Sequence, residues 1–373
     1  MNKFGFVVHP IDANFFCDYY IVKRFISKIL SPRFYPDIIK HMPPYKLCSI
    51  NNIRSSGGSI IEADIVLIPL LPAHIAVIHE EKILNKIKRG ISICEKNGAK
   101  IVGLGALTSV VGNEGEALSK KVGVPLTSGN TLTASLTLEG IYRAAYLMGL
   151  SLINSTIAII GATGDIGSIC TKILSKKVKK INIAARNGQK LQEFAQIIKH
   201  YGNAEVEVFK YTKDAICDVD IILTATSAIT TLIDPMSLKP GAIVCDIAIP
   251  ANIAKEVACL RDDIFVFEGG LAKFAYKEDA VNDKGINLLP GDSIYGCIAE
   301  TATLTFENRF ESFSIGRGSI TEDKVAEICG MANKHGIKLS DFFCGYKFYT
   351  EKDIDSIRKS AERNKEKVYA ARR

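Results

Sequence analysis

A protein of the α/β class built around a doubly wound parallel sheet is the fold that the sequence predicts, and three observations predict it. From Thr156 onward, short apolar strands alternate regularly with helical segments, a pattern that lays strands side by side in parallel with helices on both faces. A glycine-rich turn, Gly161 to Gly167, joins the first of those strands to a helix. A shorter strand–helix alternation fills the residues before about 130.

At 373 residues the chain is long enough for two or three domains. A hydrophobic fraction of 47% and a charged fraction of 23% are those of a globular protein and exclude a disordered one. No run of roughly 18 apolar residues occurs, so no transmembrane segment is expected. The N-terminal MNKFGFVVHP has a short apolar stretch stopped by His9 and Pro10, which fits a first strand and not a signal peptide. The ten cysteines lie singly within apolar patterns and form no CxxC pair, so they are expected to be reduced, buried thiols of a cytoplasmic protein with no metal site.

Taken in order, residues 1–130 predict a smaller N-terminal α/β domain, with strands Phe4–Val8, Asp64–Pro69 and Lys100–Leu104 and a helix from Ala73 to Asn97. An apolar connecting helix is expected over 131–150, closed near Gly149. Residues 151–290 predict the doubly wound, Rossmann-type domain. Its strands are Thr156–Ile160, Lys180–Ala185, Glu205–Phe209, Val219–Ala225, Ala242–Ile247 and Ile264–Phe267. Residues 291–373 predict a helical C-terminal segment. The net charge is +7, and Ser356–Arg373 holds seven Lys or Arg against two Glu, a net +5. Such a tail is first a solvated helix end. Its functional alternative is a docking patch for an acidic carrier protein or weak contact with a membrane surface. Nucleic acid is not expected, because neither aromatic interleaving nor a binding motif accompanies the charge.

The sharpest motif is Gly161-Ala162-Thr163-Gly164-Asp165-Ile166-Gly167. It follows the strand TIAII and opens a helix, the setting in which glycines admit a pyrophosphate to the backbone and the helix N-terminus receives it. The next strand ends Ala184-Ala185-Arg186-Asn187. A carboxylate there would bind the ribose hydroxyls of NADH, whereas the planar cation Arg186 suits the 2′-phosphate of NADPH. Thr226 and Ser227 follow the fourth strand and Asp246 ends the fifth, so they either line the ligand crevice or form turns at the strand ends.

A second cluster centres on Gly291-Asp292-Ser293-Ile294-Tyr295-Gly296-Cys297-Ile298-Ala299-Glu300. Asp292 or Ser293 suits a helix N-cap, placing Cys297 near the end of the first turn, where the dipole favours a thiolate. Gly296 removes bulk beside the sulfur; the alternative reading of Cys297 is a buried, inert thiol. Glu300, one turn on, either orients a proton donor or is a helix-surface carboxylate. His9 is a candidate acid, its alternative being a structural residue at a strand end. Oxyanion support is expected from backbone N–H groups near Cys297 or from the turn Ser128-Gly129-Asn130-Thr131.

Several stretches resemble the long-chain acyl–acyl-carrier-protein reductases: Thr127–Ala134, Gly161–Ser168, Ala185–Asn187, Cys297–Glu300, and Ser314–Arg317 with Ile320–Lys324. The similarity runs from Phe4 to Leu339, is patchy between Pro10 and Ile60, and leaves about 35 C-terminal residues outside. It implies an aldehyde-forming oxidoreductase of lipid metabolism in which Cys297 carries the acyl group and NADPH reduces it. The implied partners are an acyl carrier protein or acyl-CoA as acyl donor, and an enzyme that consumes the fatty aldehyde. Two alternatives stand beside this. One is a dehydrogenase of a small polar substrate, like the shikimate and amino-acid dehydrogenases, although no catalytic Lys–Asp pair presents itself. The other is a non-catalytic module that senses NADP(H) or acyl groups. A glutamyl-tRNA-reductase-like reading shares the cysteine but lacks a tRNA-binding region.

Overall fold

Buried apolar strands set the architecture. The computed structural model describes residues 1–11, 35–226, 233–249, 251–253, 260–276, 281–282, 289, 291–345 and 347–371. It divides into two units, Met1–Leu132 with Ala272–Lys338, and Thr133–Leu271 with Leu339–Arg373.

In the first unit, β1 (Asn2–Val8), β2 (Tyr45–Arg54), β3 (Ile60–Leu67), β4 (Val102–Leu104) and β5 (Leu126–Thr127) form one sheet in the order β2-β3-β1-β4-β5. The strands β3, β1, β4 and β5 run parallel. β2 is antiparallel to β3, and Val281–Asn282 adds an antiparallel edge beyond it. Parallel strands bury both faces, and two helices cover them here. Helix Glu80–Lys96 presents Ile83, Ile87 and Ile91 at four-residue spacing to Val7, Val66 and Val102. Helix Gly296–Phe306 packs on the strands as well and is buried around its whole circumference, except at Cys297. The carboxyl ends of β1, β3, β4 and β5 therefore share one edge, with His9, Gly105 and Ser128 on it.

In the second unit, β6 (Thr156–Ile160), β7 (Lys180–Ala184), β8 (Glu205–Phe209), β9 (Ile221–Thr224), β10 (Ile243–Asp246) and β11 (Phe265–Glu268) form an all-parallel sheet. Its order is β8-β7-β6-β9-β10-β11. Counted from β6 this is 3-2-1-4-5-6, the order of dinucleotide-binding sheets, and the predicted class holds. Helix Glu351–Ala371 is tied to this unit where Ser360 donates to Asp262 at 2.8 Å and Asn364 to Asp263 at 3.0 Å.

Several boundaries differ from expectation. β2 and β5 carry too little alternation to be seen, β2 being broken by register shifts between Lys46 and Cys48 and between Ile50 and Ile53. The helix expected over Ala73–Asn97 is two helices, Pro72–Val77 and Glu80–Lys96, because Ile78 is extended. The connecting helix spans Asn130–Leu147. Residues after 291 form no separate segment: those to Lys338 complete the first unit and the rest join the second. Nor do Asp292 and Ser293 cap a helix. Ser293–Tyr295 is a strand, and the helix begins at Gly296 with Tyr295 at its N-cap.

Candidate cofactor cradle and cysteine site

The turn after β6 is built for a close approach. Gly161 adopts φ +87°, and a Cβ there would lie 2.3 Å from the Ala225 carbonyl just beyond β9. The turn thus occupies the gap between β6 and β9 where the strand order reverses, the place where such sheets bind ligands. Gly164 is the N-cap of helix Asp165–Leu174, and no side chain caps it, an arrangement used by helix N-termini that receive anions. A Cβ on Gly167 would meet the Gly161 carbonyl at 2.2 Å, so the bare backbone lets the helix seat on the turn. Thr163 and Ile166 are half-buried at the same turn, and Asp165 is the buried first helical residue. Arg186 is exposed just past β7. Asn187 caps the following helix, its side chain accepting the Lys190 N–H at 3.0 Å. The 161–167 turn has the backbone geometry that receives a dinucleotide's pyrophosphate, and Arg186 stands just past the next strand.

One expected crevice residue is engaged elsewhere. Asp246 is buried and wholly engaged. One oxygen accepts from the Thr224 hydroxyl and the Ala248 N–H, the other from the Asn252 and Ile253 N–H groups at 2.7 and 3.2 Å. It fastens the loop after β10 and has no oxygen left for a cofactor hydroxyl; burial raises its pKa. Thr226 is half-buried beyond β9, and Ser227 lies outside the described residues.

The cysteine site is assembled within the first unit. Cys297 is the second residue of its helix. It keeps part of its surface open, and the backbone at Ile298, Cys297 and, least, Ala106 favours its thiolate. Burial outweighs this effect and pushes the thiol up to about 12, so the resting sulfur is protonated at neutral pH. Gly129, at φ +74°, lies directly against the residue: a Cβ there would be 2.1 Å from the Cys297 Cα. Only glycine permits that contact in that conformation.

Glu300 is fully buried, not a surface carboxylate. One oxygen accepts from the Thr127 hydroxyl and, at 2.6 Å, from the Ser314 hydroxyl; the other accepts the Leu132 N–H at 2.8 Å. Thr131 shares a 2.6 Å hydrogen bond with Ser314, and Ser128 donates to the Ser314 carbonyl. Bonds to a charged acceptor contribute roughly 1.5–3 kcal/mol each; together they oppose the burial that raises the Glu300 pKa. The carboxylate thereby fastens the 127–132 turn and residue 314 to the cysteine helix. Asn130 is half-buried at the start of its helix, its N–H 3.4 Å from the Ser128 hydroxyl.

His9 is buried, and burial holds its pKa down to about 4. Both ring nitrogens are engaged, with the Pro10 carbonyl and the Leu107 N–H. Thr127, Ser314 and Ala106 escaped sequence reasoning as site residues. Thr127 and Ser314 stood inside stretches already singled out, but only the fold reveals a shared carboxylate. The eight described cysteines are free thiols. Among the described residues no three His, Cys, Asp or Glu converge as metal ligands, and no helix is long and apolar enough to cross a membrane.

The chain is similar to several known proteins. Residues 144–268, inside the second unit, match the shikimate/quinate 5-dehydrogenase family. The chain is 30% identical to aminotransferase PigE of Serratia sp. over 348 residues, which is 90% of this chain but 39% of that protein. It is 26% identical to the long-chain acyl-[acyl-carrier-protein] reductase of Synechococcus elongatus over 297 residues, 77% of this chain and 85% of that one. Shikimate 5-dehydrogenase of Listeria monocytogenes, solved with shikimate and NAD, aligns with 88% of this chain and 96% of its own at 14% identity and a TM-score of 0.35. The family match is confined to residues 144–268, and the chain spans only 39% of the length of the aminotransferase it matches.

Proposed function

We propose that the protein reduces a long-chain fatty acyl thioester to the aldehyde through an acyl-enzyme on Cys297. The observation that carries this reading is the setting of Cys297, a part-open thiol in the first turn of a buried helix with the bare backbone of Gly129 directly against it. The similarity to the acyl-[acyl-carrier-protein] reductase, over 85% of that protein, supports the same chemistry. Cys297 attacks the thioester carbonyl, and its proton passes to the departing carrier thiol, so one thioester is exchanged for another. Gly161–Gly167 and Arg186 would hold NADPH, whose chemistry there would be donation of the hydride that reduces the acyl carbon. The hemithioacetal on Cys297 then takes up one proton and collapses, releasing aldehyde and restoring the thiol. Glu300 serves as the clamp that keeps Ser128–Thr131 against the helix, and backbone N–H groups near Cys297 stabilise the tetrahedral oxyanion. The acyl donor is an acyl carrier protein or acyl-CoA.

The test is intact-protein mass spectrometry after mixing with long-chain acyl-CoA or acyl carrier protein without NADPH. Wild type is expected to gain a hydroxylamine-sensitive acyl mass that Cys297→Ser lacks, and to release aldehyde on addition of NADPH. No adduct on wild type, with NADPH still bound, would replace the covalent route with direct hydride transfer to a small polar substrate.

A further inference from the structure

At the end of β1, the His9 ring is fixed from both sides. Nδ1 lies 2.9 Å from the Pro10 carbonyl. A carbonyl only accepts, so Nδ1 carries the ring proton. Nε2 is then a bare lone pair, and it receives the Leu107 N–H at 3.1 Å. The residue before Leu107 is Ala106, which adopts φ +51°, a conformation that costs a residue with a side chain some stability. Other bonds hold the same turn: the Thr108 hydroxyl donates to the Gly105 carbonyl at 2.7 Å, and the Ser109 hydroxyl to the Ala106 carbonyl at 2.7 Å. The backbone of Ala106 is close enough to Cys297 to favour its thiolate, though less than that of Ile298 or of Cys297 itself.

We propose that His9 is a positioning residue. As a fixed neutral acceptor for the Leu107 N–H, it holds Ala106 in its left-handed conformation with the Ala106 N–H at the reaction centre, and it transfers no proton itself. That N–H serves the sulfur first and then the carbonyl oxygen of the bound acyl group. The second service rests on the acyl-transfer function proposed above; the first does not. Strained backbone survives where its surroundings over-determine it, and here bonds from Leu107, Thr108 and Ser109 hold the turn on both sides of Ala106.

The experiment compares wild type, His9→Gln and His9→Leu. The glutamine oxygen reaches the place of Nε2 and accepts the same N–H; leucine cannot. Peptide-resolved mass spectrometry follows alkylation of Cys297 by iodoacetamide across pH, separately from the exposed Cys217. Alkylation in His9→Gln is expected within about threefold of wild type, and in His9→Leu slowed at least tenfold at every pH below the wild-type plateau. Thioester reduction should follow the same order: kcat falls about a hundredfold in His9→Leu, as for loss of one oxyanion donor, KM changes little, and the pH–rate profile of His9→Gln keeps its shape. If His9→Leu does not fold, His9→Asn replaces it, since its short amide reaches Pro10 but not Leu107. Equal alkylation of all variants overturns the proposal. So does a His9→Gln enzyme as slow as His9→Leu, or one that loses a limb of its profile, because either marks His9 as a proton donor. The alkylation arm decides the matter even if no acyl thioester is reduced.

Discussion

His9 couples the site to pH through the stability of the fold. Folded, it stays neutral down to about pH 4, whereas an exposed imidazole takes up its proton near 6.5. Between those values the unfolded chain binds more protons than the folded one, so stability falls as pH falls through that window and His9 adds nothing further below it. The full loss is about 3 kcal/mol. Urea midpoints at neutral and mildly acid pH should therefore drop more in wild type than in His9→Gln; equal drops would remove His9 as the source. Arg186 makes a separate prediction. If its charge selects the 2′-phosphate, Arg186→Glu should weaken NADPH at least tenfold, improve NADH, and leave maximal rate with saturating cofactor nearly unchanged. Fluorescence titration of both cofactors checks it. Much at this scale was legible: Gly161, Gly164 and Gly167 announce their turn because each is needed for a local backbone reason. Asp246 was not. An aspartate at a strand end looks the same in sequence whether its oxygens face a ligand or, as here, four donors from its own unit.

Among the elements, the cysteine helix depends on a carboxylate that faces away from solvent. Removing it in Glu300→Ala strands the Thr127 and Ser314 hydroxyls and the Leu132 N–H. At roughly 1–3 kcal/mol for each buried donor left without an acceptor, the loss is at least about 3 kcal/mol. Denaturant unfolding should register it, and acyl-enzyme formation should slow because the 127–132 turn is released from Cys297. A variant with an unchanged midpoint would mean that the network is dispensable. Periodicity did foresee the strands and helices of the second unit. The cap of the cysteine helix was misread because Asp292 and Ser293 have the chemistry of N-caps, yet Ser293–Tyr295 is drawn into a strand. The burial of Glu300 was equally illegible: Thr127 lies 173 positions away, and no local pattern encodes that meeting.

On the scale of the whole molecule, the basic tail is less free than its charge suggests. Arg358 and Lys359 both reach Asp355, at 2.5 and 2.7 Å, and Ser360 and Asn364 tie the helix down. Deleting the tail would therefore strip packing as well as charge. Arg363→Glu with Lys367→Glu is the cleaner change, both side chains being exposed. If this face docks an acidic acyl carrier protein, that variant should raise KM for the carrier substrate at low ionic strength, with the gap closing as salt screens the charges. An unchanged KM at low salt would leave the tail as a solvated helix end. The two-unit organisation was legible only in part, because the return of residues 272–338 to the first unit leaves no mark in composition.

That return bears on how the chain comes to fold during synthesis. The first unit opens with β1 and cannot cover its sheet until the helix at Gly296–Phe306 has been made. While the intervening residues are translated, Phe4, Phe6 and the apolar faces of β3 and β4 lack one of their covering layers. Contacts of such long sequence separation form late, and waiting apolar strands invite aggregation or the attention of chaperones. Because the covering helix is also the one that bears Cys297, the nucleophile gains its surroundings in the step that closes the core, and a ribosome-bound chain that stops short of that helix lacks both.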